Sequence, residues 1–161
     1  MILHAGLIAA YLNGAWRGVL IEGVSGAGKS DLALRLLEQG FRLVADDRVL
    51  VWSCGGALYG RAPTALANLI EVRGLGICAE PALPFSRIVL AARCEPAERL
   101  PDLAFAAHAG VSLPVVSIHP LEASAPAKLR RALQHLGRSA EGAYLGDLAA
   151  SVSPRPGGDS R

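Results

Sequence analysis

Residues 23–47 read GVSGAGKSDLALRLLEQGFRLVADD, and this stretch decides the fold. Its first eight residues, Gly23, Val24, Ser25, Gly26, Ala27, Gly28, Lys29 and Ser30, satisfy G-x-x-x-x-G-K-[ST] at every position. Glycines let such a loop curl so that several backbone N–H groups converge on phosphate oxygens at the positive end of the following helix. Lys29 is then expected at the β- and γ-phosphates of a nucleoside triphosphate, and the Ser30 hydroxyl at Mg²⁺. The flanks agree. GVLIE (18–22) reads as a strand running into the loop, and apolar residues at 32, 33, 36 and 37 give a helical period that Gly40 closes. FRLVA (41–45) reads as a short buried strand delivering Asp46 and Asp47.

Strand, loop, helix and returning strand make a βαβ unit, which predicts an α/β fold with the two strands as parallel neighbours. Parallel strands end at the same sheet edge, so both carboxylates are expected beside the phosphates. Successive residues leaving a strand point in opposite directions. One of the two, Asp46 or Asp47, can thus face the metal while the other faces an incoming hydroxyl. Two other readings stay open: the pair caps the next turn or pairs with Arg42 and Arg48, or one aspartate only supports Mg²⁺ and water is the acceptor.

Outward from this stretch, GLIAAYL (6–12) and RGVLIEG (17–23) flank Asn13-Gly14 as a hairpin, with a loop expected to exceed two residues. Residues 48–58 read as a strand and a Gly-Gly turn, SRIVLAARC (86–94) and LPVVSIHP (113–120) as strands, and 125–136 as a helix capped by Ser124 and stopped by Gly137. ALANLIEVRGLGI (65–77) fits a helix or a strand. The chain divides into one domain over 1–150 and a Pro/Gly-rich tail over 151–161, expected to be disordered.

The composition narrows the function. The 161 residues are 52% hydrophobic and 19% charged, which suits a globular domain. A net charge of +2 and an aromatic content of 5% argue against a nucleic-acid binder, and no apolar run reaches the length of a membrane span. The N-terminal MILHAGLIAAYLNGAW lacks a basic region and reads as strands, not a signal peptide. Cys54, Cys78 and Cys94, odd in number and widely spaced, are expected as reduced, buried thiols of a cytoplasmic protein. His108, His119 and His135 show no ligand spacing and are expected to be structural. Lys128, Arg130 and Arg131 are read as a solvated helix face or a contact surface.

A second block, NLIEVRGLGI (68–77), holds Glu71, Arg73, Gly74 and Gly76. Glu71 could add a carboxylate to the metal, Arg73 could stabilise transferred charge, and the glycines permit close backbone approach. GVSGAGKSDLAL, GFRLVADDRV and IEVRGLGI, in this order and spacing, resemble the C-terminal catalytic domain of the HPr kinase/phosphorylase family over roughly residues 1–135. The likeness is to a short form without the N-terminal domain. It implies a P-loop-containing mixed sheet with flanking helices, of the HPr kinase/phosphoenolpyruvate carboxykinase type. It also implies ATP and Mg²⁺ as cofactors and, as partner, a serine of the phosphocarrier HPr of the phosphotransferase system. Carried over by motif, Lys29 and the loop glycines hold the nucleotide and Ser30 and Glu71 the metal. Asp47 is the base, and His4, in LHAG, matches the family's catalytic histidine. Family members assemble as hexamers. The segment VSIHPLEASAPAKLRRAL (116–133) matches no late catalytic arginine, so the resemblance supports the kinase direction and leaves phosphorolysis unsupported. A P-loop kinase of another hydroxyl, or an ATP-sensing module without transfer, remains the alternative.

Overall fold

A computed structural model describes residues 1–137. The expected 151–161 tail and the domain end at 150 lie outside the described residues. In chain order the elements are β1 (Ile2–Leu3), β2 (Ala5–Leu12), β3 (Ala15–Glu22), α1 (Lys29–Leu37), β4 (Arg42–Ala45), β5 (Val49–Cys54) and β6 (Ala57–Arg61). A 3₁₀ turn at Thr64–Leu66 precedes β7 (Leu69–Val72), β8 (Gly76–Ala79), β9 (Ser86–Cys94), β10 (Ala104–His108), β11 (Val111–Ile118) and α2 (Ala125–Leu136).

Nine strands form one mixed sheet in the order β1-β5-β6-β9-β3-β2-β4, with β11 on β9 and β10 on β11; β7 and β8 pair separately. β9 is shared along one edge. Its start pairs with β6 (Ser86 to Ile88) and its end with β11 (Ala91 to Cys94), while β3 runs parallel along the other edge.

Alternation along the strands builds a core on each face. Ile8, Val19 and Ile21 meet Leu32 and Leu36 of α1 and Leu129 and Leu133 of α2. Leu7 and Leu20 face the other way, against Val49, Leu58 and Leu113. Each fully buried aliphatic side chain of this kind contributes roughly 1.5–3 kcal/mol. The i, i+4 spacing of Leu32/Leu36 and of Leu129/Leu133 puts each pair on one helical face, which is why both segments are helical.

Three sequence expectations are corrected. β3 and β4 are not neighbours: β2 lies between them, antiparallel to each, because the Asn13-Gly14 turn folds β2 back onto β3 before α1 begins. Two antiparallel steps restore direction, so β3 and β4 still end at the same edge. The hairpin loop is two residues, since Leu12 pairs with Ala15 and both Asn13 (φ 51) and Gly14 (φ 79) take the positive φ of a type I′ turn. Ser124 makes no side-chain cap; its carbonyl accepts the Lys128 N–H, and Pro126 in the first turn removes one N–H that a cap would serve. The ambiguous 65–77 stretch resolves as a short 3₁₀ turn followed by β7 and the turn into β8. Gly40 closes α1 as expected: its N–H donates to Leu37 O and that of Phe41 to Leu36 O, the paired bonds of a Schellman motif.

Candidate active site

β3 is driven into the sheet by Val19, Leu20 and Ile21, all fully buried, and the chain then turns sharply at Gly23. A Cβ on Gly23 would lie 2.9 Å from Cys94 Cβ at the end of β9, so only glycine lets the loop leave the sheet there. Gly28, at φ 103, turns the chain into α1, whose N-terminal N–H groups face the loop. The Lys29 side chain is buried, and its ammonium donates to Gly23 O and Val24 O, both at 2.9 Å, across the loop. Leu121 roofs the loop; a Cβ on Gly28 would come within 3.1 Å of it. Arg35 of α1 fixes that roof by donating to the Pro120 and Glu122 carbonyls.

The two aspartates follow the end of β4 at Ala45 and take different partners. Asp46 is buried; its Oδ1 accepts the Ser30 hydroxyl at 2.7 Å and its Oδ2 accepts the Glu71 main-chain N–H at 3.0 Å. Asp47 takes a left-handed backbone, φ 66, which Asp tolerates better than most residues. That turn swings its carboxylate to the opposite side, where Oδ1 lies 2.6 Å from His4 Nε2 and Oδ2 3.6 Å from Arg48 Nη1. Both partners of the His4–Asp47 pair are about half exposed, so an incoming group can reach them. His4 is placed by the bend between β1 and β2, next to the start of β2 and hence next to β3.

Glu71 joins this cluster by its backbone, while its side chain is exposed. Arg73 and Gly74 form the exposed β7–β8 turn, and among the described residues Arg73 makes no ion pair with Asp46 or Asp47. No group of three or more His, Cys, Asp or Glu able to hold a metal occurs among the described residues. Mg²⁺ in phosphoryl-transfer sites is held by one or two carboxylates, with phosphates and waters filling much of the octahedron. The adjacent Ser30 hydroxyl and buried Asp46 carboxylate fit that donor set.

Sequence reading missed the brace beneath the loop. Glu22, the residue before Gly23, holds His108 Nε2 at 2.5 Å and Arg93 Nε at 3.6 Å. His108 comes from the distant β10, so only its role as a structural residue was legible. The cysteines also differ from expectation: Cys54 is exposed and Cys78 and Cys94 are half-buried, because each sits at or near a strand end. Burial pushes the Cys94 thiol up to about 11, outweighing the Lys29 ammonium, which lowers it. His119 accepts the Ala97 N–H at 3.4 Å, and Lys128 pairs with Glu122.

The family described as HPr Serine kinase C-terminal domain matches residues 2–82, half of the chain, and these residues contain the loop, both aspartates, His4 and Glu71. The chain belongs to this family. Among its relatives, the HPr kinase/phosphorylase of Clostridium tetani is 46% identical over 81 residues, 50% of this chain and 25% of the relative. That of Mycoplasmopsis pulmonis is 53% identical over 60 residues, 37% of this chain and 19% of the relative. The matched stretch therefore spans a quarter or less of these relatives. The Hpr(Ser) kinase/phosphatase of Coxiella burnetii has the same fold, with a TM-score of 0.70 at 23% identity over 83% of this chain and 88% of that one. The family match ends at Ala82, and the likeness in fold covers 83% of the chain. Among the described residues no helix is long and apolar enough to cross a membrane.

Proposed function

We propose that this domain is a Mg²⁺- and ATP-dependent protein serine kinase whose acceptor is an HPr-type phosphocarrier. The observation that carries the reading is the division of labour at Asp46-Asp47. One carboxylate is tied to the Ser30 hydroxyl of the phosphate loop, and the other is held at the surface by His4. The first supports the metal of any P-loop enzyme, and the second is placed to orient an attacking hydroxyl group. An exposed, oriented carboxylate beside the cradle suits a general base for an incoming hydroxyl. The relatives, HPr kinase/phosphorylases, suggest the acceptor.

In this reading the serine oxygen attacks the γ-phosphorus in line, its proton passes to Asp47, and the bond to the β-phosphate oxygen breaks to release ADP. Lys29 and the N–H groups of residues 23–30 hold the phosphates, and Ser30, Asp46 and Glu71 supply the metal's protein oxygens. When bound, Mg²⁺ neutralises charge on the β- and γ-oxygens. Arg73 and Gly74, on their exposed turn, are assigned to the transferred phosphoryl group or to the protein acceptor. His4 orients Asp47. The proposal covers the kinase direction in a cytoplasmic homo-oligomer and involves neither nucleic acid nor membrane. Incubation with ATP, Mg²⁺ and the phosphocarrier of the same organism, read by mass spectrometry, tests it. A phosphoserine on the carrier supports the assignment. Transfer to a different hydroxyl would replace the acceptor, and ATP binding without any transfer would make the domain a nucleotide sensor.

A further inference from the structure

Of the five residues of β10 only His108 is buried; Ala104, Phe105 and Ala107 are exposed. An apolar side chain is the ordinary choice for a lone buried position of this kind. His108 instead brings a ring whose Nδ1 is buried and has no hydrogen-bond partner among the described residues. An orphaned polar atom costs stability, so packing alone does not account for a histidine here. The other ring nitrogen does. Nε2 lies 2.5 Å from Glu22 Oε1, and since a carboxylate only accepts, Nε2 carries the hydrogen and donates it. The turn after His108, Ala109 (φ 47) and Gly110 (φ 78), pairs His108 with Val111. Ala109 and Val111 then seat this end of the hairpin against the core that holds Leu7 and Leu20.

Glu22 stands where the sheet passes into the site. Its neighbours across the strands are Ala5 on β2 and Arg93 on β9. Ala5 follows His4, which holds Asp47. Glu22 itself precedes Gly23, whose carbonyl accepts the Lys29 ammonium at 2.9 Å. The end of β3 is thus one residue from the cradle and one strand from the His4–Asp47 pair. Arg93 Nε, 3.6 Å from Glu22 Oε2 on a side chain 44% exposed, is a partner screened by solvent. The buried His108 is therefore the directional hold on the Glu22 carboxylate.

We propose that His108 is a positioning residue for the phosphate loop. Its hydrogen bond fixes the Glu22 carboxylate, and with it the direction in which Gly23 leaves the sheet and the place of the Lys29 ammonium. The inference rests on the phosphate-cradle reading of residues 23–30. A histidine that only packed the hairpin would act on β10 and β11 and leave the loop as it was.

The test uses the full chain and compares wild type with His108→Leu, which fills the space without a donor, and His108→Gln, which keeps an N–H donor. Amide hydrogen exchange is followed peptide by peptide without ligand, and inorganic tripolyphosphate with Mg²⁺ is titrated by calorimetry. In His108→Leu, exchange across residues 22–32 is expected to rise at least about threefold as the loop opens more readily. Tripolyphosphate should bind about tenfold more weakly, the scale of one hydrogen bond to a charged group. His108→Gln should recover most of both. Should His108→Leu misfold, Glu22→Gln, which keeps the shape and weakens the bond, is expected to show the same two changes at smaller amplitude. Faster exchange confined to 104–115, or a tripolyphosphate affinity within about twofold of wild type, overturns the assignment and leaves the cradle standing. If folded wild type binds no tripolyphosphate, the cradle itself falls and the assignment with it.

Discussion

His4 Nε2 stands 2.6 Å from Asp47 Oδ1 across 43 positions of sequence. The contact exists because β2 runs beside both β3 and β4, so the residue before β2 meets the residues after β4. A half-exposed aspartate has many rotamers open to it, and the imidazole selects one. His4→Ala should therefore lower kcat by on the order of 10²-fold through misplacement of the base, with the ATP KM nearly unchanged. His4→Gln, which can still hydrogen-bond, should recover part of the rate. Steady-state kinetics of both variants checks this, and a wild-type kcat in His4→Ala removes His4 from the site.

Asp46 accepts two hydrogen bonds while buried, one from Ser30 and one from the Glu71 N–H. Asp46→Ala strands both donors, and each unpaired buried group costs about 1–3 kcal/mol. The variant should melt at a lower temperature than wild type and require more Mg²⁺ for half-maximal ATP binding. Ser30→Ala leaves Asp46 Oδ1 without its donor but keeps the Glu71 N–H bond to Oδ2, so its Mg²⁺ shift should come with a smaller loss of Tm. Calorimetric melting and a Mg²⁺ titration separate the two; an unchanged Mg²⁺ requirement in both would detach this pair from the metal.

Gly18, in the middle of β3, lies against β9: a Cβ there would meet Arg87 O at 2.6 Å. Backbone cannot yield as a side-chain end can. Gly18→Ala should force β3 and β9 apart at the base of the strand that carries the loop, costing about 1–3 kcal/mol as overpacked cores do. Urea unfolding measures it, with a lowered midpoint expected and no change in m.

Burial pushes the Cys94 thiol from its ordinary 9.0 up to about 11 in the folded protein. The protonated thiol is the favoured form in the fold, so this contribution is full below pH 9 and is lost as pH rises through about 11. Two measurements follow. Unfolding free energy should decline across that window more in wild type than in Cys94→Ala. Iodoacetamide at pH 8, where only about 10⁻³ of such a thiol is ionised, should label the exposed Cys54 and spare Cys94 in the native protein. Equal labelling rates would contradict the shift.

Local chemistry was legible and lateral order was not. The P-loop spacing, the α1 period and the Gly40 stop fixed where the cradle and both aspartates would stand, since each rests on contacts within about a turn or a strand. Insertion of β2 between β3 and β4 left no local trace, because which strands pair is set by long-range burial. The same limit hid the Glu22–His108 brace, in which β10 reaches back to the residue before the loop. The 65–77 stretch was ambiguous for a different reason. β7 and β8 form a separate two-stranded unit in which only Ile70 is buried, so no clear period marks it.

The most direct test of the account is phosphoryl transfer by Asp47→Asn. The amide keeps the shape of the side chain and loses its capacity to take a proton. With Mg²⁺-ATP and the HPr-type carrier, wild type should form phosphoserine on the carrier. The variant should bind ATP with nearly the same Kd and transfer about 10²–10⁴ times more slowly, the usual share of a general base. Transfer by Asp47→Asn at the wild-type rate would contradict the central claim.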